Sequence, residues 1–251
     1  YEKELSKIGC NINKFFSTKE HDFTINIDTL IETINKDNYE LIVICNPNNP
    51  TGFTFTKCEI EKLLNNTNAF VMVDETYIEF TNMSIYSSTS LVDEYKSLFV
   101  IRGTSKFFST PGIRLGYGLI SNNKIKHEMI SHLDLWNINI FASMMGEVMF
   151  NDSNFIKNSY SLIIKERNYL SNELSKFTDL KIYNSKGNFI LCEIKSKSLT
   201  AKEVREKLIP NKIIIRDCAS FDGLGEYFFR VCILKPEENK LLIDNLKKIL
   251  K

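Results

Sequence analysis

The chain has 251 residues and nearly cancelling charge, with 32 Lys and Arg against 31 Asp and Glu for a net +1. That length allows one large domain or two small ones around a buried core, and 43% hydrophobic with 25% charged residues is an ordinary globular balance. The lack of a basic excess argues against a nucleic-acid partner. No apolar run approaches the ~18 residues of a membrane span, and no signal-peptide pattern is visible, so the predicted setting is cytoplasmic, with no membrane partner.

In chain order, Tyr1 opens an amphipathic run that continues to Gly9. A natural start seldom falls inside an element, so the expectation is a piece of a longer protein. Residues 41–45, 69–73, 98–101 and 115–120 are short, nearly all-apolar runs, read as strands buried on both faces. Helical patterns at 56–65 and 91–96 lie between them, and this alternation predicts an α/β fold with a mostly parallel sheet. From 122 to 176 the pattern is helical, ending in a long stretch over 155–177. Strands are then predicted at 180–183, 188–194, 213–216 and 227–234, followed by a helix over 236–250 with Pro236 in its first turn. The predicted division is a large domain over 1–151 and a smaller α+β domain over 152–251.

Cysteines stand at 10, 45, 58, 192, 218 and 232 with no Cys-x-x-Cys pair, and read as buried free thiols in a reducing compartment. The three histidines are too scattered for a zinc site or a serine-protease triad. No metal is expected.

Open parallel sheets place ligands at the carboxyl ends of their strands. Three polar segments follow strand ends here: Asn46-Pro-Asn-Asn-Pro-Thr-Gly52, Asp74-Glu-Thr-Tyr77 and Arg102-Gly-Thr-Ser-Lys106. Each alone is also what a rigid turn, a helix cap or an ordinary loop looks like. Together, with Asn49 25 residues before Asp74, Lys106 32 after it and Arg114 8 further on, they resemble the fold-type I pyridoxal-phosphate enzymes of the class I/II aminotransferase family. Pro111-Gly-Ile-Arg-Leu-Gly-Tyr117 adds to the resemblance, which runs from Tyr1 to the C-terminus.

The resemblance implies pyridoxal 5'-phosphate as cofactor, with Lys106 as the lysine holding it in a Schiff base. A partly desolvated, cationic surrounding would make that amine usable. Asp74 would keep the ring nitrogen protonated, Tyr77 and Asn49 would hydrogen-bond the ring's phenolic oxygen, and Ser105 with Arg114 would meet the phosphate. One departure is Gly103, where many relatives carry a Ser or Thr that contacts the phosphate; Thr104 or the backbone is the expected substitute. The family also implies a homodimer, and a segment preceding Tyr1 that supplies a phosphate-cradling helix N-terminus and a ring-stacking aromatic.

Cofactor motifs alone do not select a reaction. Arg230 stands at the family's carboxylate-binding arginine, and Asn188 at an Asn-Phe segment near the substrate. Arg216 supplies a second cation for a small phosphorylated amino-acid substrate. The segments Ile213 to Gly225, Asp134-Leu-Trp-Asn-Ile-Asn139 and Met145-Gly-Glu-Val148 resemble threonine-phosphate decarboxylases of cobalamin biosynthesis. Decarboxylation of L-threonine O-3-phosphate to aminopropanol phosphate is therefore the first expectation, with histidinol-phosphate transamination as the alternative. A reading of another class is a fragment without catalysis, or a ligand-sensing domain. Trp136 is expected either in the cleft or in the core.

Overall fold

The computed structural model describes residues 1–250. Its first sheet has strand order β1 (Leu41–Cys45), β2 (Phe70–Asp74), β3 (Leu98–Gly103) and β4 (Gly116–Ile120). The first three are parallel, and their register sets Cys45 beside Asp74 and Asp74 beside Ile101. The loops that leave these strands therefore start from one edge of the sheet. α1 (Glu2–Lys7) precedes the sheet, α2 (Ile27–Lys36) and α3 (Lys57–Asn65) accompany it, and the short α4 (Met83–Tyr86) follows β2. The sequence specifies where α2 and α3 begin: the Asn26 side chain accepts from the amides of Asp28 and Thr29, and Thr56 with Glu59 forms a reciprocal capping box. Ile60, Leu63, Val71, Val73, Leu98 and Val100 are fully buried in their shared core, each contributing about 1.5–3 kcal/mol.

α5 (Asn123–Ser131), α6 (Ile140–Asn151) and the 22-residue α7 (Ser153–Leu174) lead to a second sheet. This sheet is antiparallel throughout, in the order β5 (Leu180–Ile182), β6 (Phe189–Ile194), β8 (Phe228–Cys232), β7 (Arg216–Asp217). α8 (Ala201–Leu208), α9 (Pro236–Ile249) and α7 share its core, in which Leu170, Leu174, Ile190, Leu208, Phe229 and Leu246 are buried. Pro236 begins α9 as predicted.

The first sheet is mostly parallel, as predicted, but β4 runs antiparallel to β3. A parallel return needs a crossover, usually a helix, and residues 104–115 form turns instead. Residues 91–96 hold no α-helix; a 3-10 turn at Thr89–Leu91 stands there. The 213–216 run pairs only from Arg216 onward, because Lys212 turns the chain with φ 60° and leaves Ile214 74% exposed. All six cysteines are free, but only Cys192 and Cys218 are buried, while Cys10, Cys58 and Cys232 are exposed. Trp136 is neither core nor cleft, at 88% exposed.

Candidate active site

Asp74 ends β2 with its carboxylate fixed from one side. Its Oδ1 accepts from the Thr76 amide at 2.9 Å and the Thr76 hydroxyl at 2.5 Å. Oδ2 accepts from the Tyr1 hydroxyl. Burial, followed by this bond to Asp74, pushes the Tyr1 phenol up and keeps it a neutral donor. Burial and the nearby Asp74 charge also push the neighbouring Cys45 thiol up to about 12.

Glu75 is fully buried. Its carboxylate accepts from Arg102 Nη2 at 2.8 Å and Nε at 3.0 Å, from the Ser87 hydroxyl at 3.0 Å and from the Ser88 amide at 2.5 Å. Burial raises this carboxyl, and the Arg102 guanidinium opposes the rise. The pair ties the end of β2 to the end of β3, next to the segment that carries Lys106. Thr76, Glu75 and Arg102 all lie inside the quoted strand-end segments, yet sequence reasoning assigned them no role.

Across this edge the two sheets meet. Arg230, on β8, donates from Nη1 to Asn49 Oδ1 in the loop after β1. Its charge also acts on the Tyr77 phenol, and it lies 4.6 Å over the Phe189 ring. Burial pushes the Tyr77 phenol up, with the Arg230 charge pulling against it. Lys106 Nζ stands 5.9 Å from the centre of the Tyr77 ring. The lysine is exposed, where partial desolvation was expected.

Arg216 pairs directly opposite Arg230 in the β7/β8 register. Its guanidinium reaches Ser220 Oγ at 3.4 Å and lies 5.5 Å from the Phe221 ring. Both arginines line a cleft of about 580 Å³ with Arg205, Ser220 and Cys232, a placement suited to an anion. Asn188 adds a buried Oδ1 that has no hydrogen-bond partner, and such groups are rare unless something else satisfies them.

Ser105 and Arg114 are placed less tightly. Arg114 is exposed, and its Nη1 donates to the Pro111 carbonyl at 2.9 Å, with no hydrogen bond to Ser105. Its φ of 61° is unusual for a residue with a side chain. Thr104 does not stand in for the hydroxyl missing at Gly103, because it is buried and donates to the Leu115 carbonyl at 3.2 Å. Among the described residues no cluster of three or more His, Cys, Asp or Glu is placed to hold a metal, and no helix is long and apolar enough to cross a membrane.

The donor set fits pyridoxal 5'-phosphate. Asp74 Oδ2 already accepts from a neutral hydroxyl, so it presents an acceptor to a ring N–H. An amine, a phenol and an amide lie on the same side of the sheet edge, with two arginines beyond them.

Residues 1–246 match the family Aminotransferase class I and II. The chain belongs to that family. The histidinol-phosphate aminotransferase of Methanocaldococcus jannaschii is 35% identical over 92% of this chain, which spans 61% of that relative's length. A solved histidinol-phosphate aminotransferase from Clostridium acetobutylicum superposes with a TM-score of 0.90 and 31% identity, over 99% of this chain and 74% of that one. A decarboxylase from Sulfurospirillum multivorans follows with a TM-score of 0.86 and 28% identity, over 97% of this chain and 71% of that one. Membership of that family implies pyridoxal 5'-phosphate as the cofactor.

These findings overturn the expectation of threonine-phosphate decarboxylation. Curated relatives at 32–35% identity are histidinol-phosphate aminotransferases. The solved L-threonine-O-3-phosphate decarboxylase of Porphyromonas gingivalis is 23% identical, covers 84% of this chain and 64% of its own, and with a TM-score of 0.76 shares the fold alone. Two of the three segments behind that expectation lie away from the arginine-lined cleft, with Leu135 89% and Trp136 88% exposed.

Proposed function

We propose that the protein transfers the amino group of histidinol phosphate to a 2-oxo acid. The observation that carries the proposal is the identity of 32–35% to curated enzymes of that activity. The paired arginines of the β7/β8 register support it, since the substrate's anionic group is a phosphate. When bound, the cofactor supplies the electron sink that stabilises charge developing at the substrate carbon.

Lys106 holds the cofactor, and its amine is the group placed to move a proton at the amine-bearing carbon. Asp74, braced by Thr76, holds the proton on the ring nitrogen. Tyr77 and Asn49 orient the ring's oxygen, and Arg230 fixes Asn49 while facing the substrate's anion. Arg216 and Asn188 complete the substrate side, and Ser105 and Arg114 hold the cofactor phosphate. Residues 1–151 form the cofactor-binding unit and 152–251 the smaller one, with Asp152 capping α7 at the division.

We also propose a homodimer. Leu135, Trp136, Ile140, Phe141, Met144 and Val148 are all more than half exposed, a density of apolar side chains that marks an interaction surface. The six free thiols support a reducing, cytoplasmic setting.

The test is incubation of the full-length holoenzyme with histidinol phosphate and 2-oxoglutarate. Glutamate formation is the expected result. A cofactor-loaded protein that forms no glutamate overturns the proposal.

A further inference from the structure

We infer that Arg167 is a positioning residue that sets the Tyr77 turn against the strand start carrying Asn188. It lies on α7, and all of its polar contacts are backbone carbonyls. Nε donates to Gly187 O at 3.0 Å, and Nη2 donates to Phe80 O at 2.7 Å and Lys186 O at 2.8 Å. Phe80 closes the 3-10 turn Ile78–Phe80 that Tyr77 begins, and Gly187 is two residues before β6. One guanidinium therefore bridges the first sheet's loop and the second sheet's entry strand.

The chemistry explains why arginine is there. Terminal carbonyls of a helical turn lack internal partners, and a planar fork with five donors can meet three carbonyls held in fixed directions. Among the described residues no carboxylate pairs with Arg167, and burial pulls its pKa down to about 10. A half-buried cation without a counter-ion is costly to keep, so the positions of those carbonyls matter to the fold around the site.

A second contact shows that residues 185–188 form a junction. The Lys186 amide donates to Gly52 O at 3.0 Å. Gly52 adopts φ +76°, and a Cβ there would stand 2.1 Å from Ser185 Oγ. The loop carrying Asn49, the turn carrying Tyr77 and α7 thus all close on the same four residues. Just beyond them are Asn188, with its unpartnered Oδ1, and Phe189, which packs edge-on against Tyr77 at 5.3 Å and lies under Arg230. Arg167 touches none of the reacting groups and acts through Gly187 to Phe189.

The inference rests on the reading of Asn188 and Arg230 as substrate-binding residues, so its test has an arm that needs no substrate. Arg167→Met and Arg167→Lys are made in the full-length holoenzyme, and amide hydrogen exchange, cofactor titration by absorbance, KM and kcat are measured. Arg167→Met is expected to raise exchange selectively in residues 77–81 and 186–189 while β2 and β3 stay protected. KM for histidinol phosphate should rise about 10- to 100-fold, with cofactor affinity retained. Arg167→Lys, which keeps the charge without the fork, should fall between. Unchanged exchange in both segments, or an unchanged KM in folded holoenzyme, overturns the inference. If Arg167→Met does not fold, a wild-type exchange pattern in Arg167→Lys overturns it equally. A wild-type enzyme that fails to use histidinol phosphate sinks the proposed function, and the exchange measurements still decide the role of Arg167.

Discussion

In the first sheet three parallel strands end side by side at Cys45, Asp74 and Ile101, whereas every neighbour in the second sheet is antiparallel. Parallel ends bring loops that are distant in sequence to one edge, and here that edge holds Asn49, Asp74, Tyr77 and Lys106. The antiparallel sheet instead sets two arginines opposite each other on adjacent strands, Arg216 and Arg230. Their coverage differs as well. The second sheet is closed by α7, α8 and α9, but the helices after β4 leave Trp136 88% and Phe141 70% exposed. The proposed function divides along that contrast, with cofactor chemistry on the first sheet, substrate-anion recognition on the second, and association on the surface beyond β4.

The sharpest way to break that division is to substitute on each side of it. Lys106→Ala should lower kcat by about 10²–10⁴-fold, the range for removing a positioned proton carrier. Arg230→Lys should act mainly on KM for histidinol phosphate, by about 10- to 100-fold, because a forked, charge-assisted contact is worth about 1.5–3 kcal/mol. Steady-state kinetics on the holoenzyme separates the two. If Arg230→Lys lowers kcat alone, the assignment of anion recognition to the second sheet is wrong.

Arg102→Met tests what holds the first sheet's edge in place. It leaves the Glu75 carboxylate buried without its cation, and breaking a buried pair from one side costs about 3–5 kcal/mol. Urea unfolding should show that loss. A change below about 1 kcal/mol would place the Glu75–Arg102 pair among contacts of the exposed, weak kind.

Two buried carboxyls extend the comparison to pH. Glu166, in the second sheet's surroundings, is met by Asn239 Nδ2 at 2.8 Å. Glu79, in the Tyr77 turn, has a buried Oε2 without a partner, and burial pushes its carboxyl up to about 7 despite the opposing Arg102 charge, with Glu75 adding to the rise. The folded state then binds a proton more tightly than the unfolded chain, whose Glu titrates near 4.5. Stability should fall as pH rises from about 4.5 through about 7, by an amount on the order of 3 kcal/mol. Glu79→Gln should remove most of that slope in unfolding titrations between those values. A slope unchanged by the substitution would assign it to other groups.

Much of this site could be read from residue order. The runs at β1, β2 and β3 are apolar, with Val71, Val73, Leu98 and Val100 fully buried, and the polar segments at their ends carry Asn49, Asp74 and Lys106. What escaped is contact between residues far apart in the chain. Tyr1 reaches Asp74 across 73 positions and Arg230 reaches Asn49 across 181, and no local pattern encodes either. Arg167 sits in the charged stretch Lys165-Glu-Arg167, which looks like a solvated helix face, yet the fold half-buries it and turns its donors to carbonyls. β4 was legible as a strand but not in its direction, which depends on the turns of 104–115. The reaction was misread because the cofactor motifs are common to both enzymes and the short segments 134–139, 145–148 and 213–225 do not separate them.

The smallest expected effect tests whether the two sheets behave as separate units. Each has a helix begun by the same Thr-x-x-Glu capping box, Thr56 with Glu59 on α3 and Thr200 with Glu203 on α8. Thr56→Ala and Thr200→Ala should each cost about 1 kcal/mol, the usual loss for an N-cap hydroxyl. Because Arg167 and the Lys186–Gly52 bond join the sheets, both substitutions should shift one common thermal transition by similar amounts, and the double variant should lose about the sum, the sites being independent. Calorimetry resolving two transitions, each moved by only one of the substitutions, would show that the junction at 185–188 does not couple the sheets.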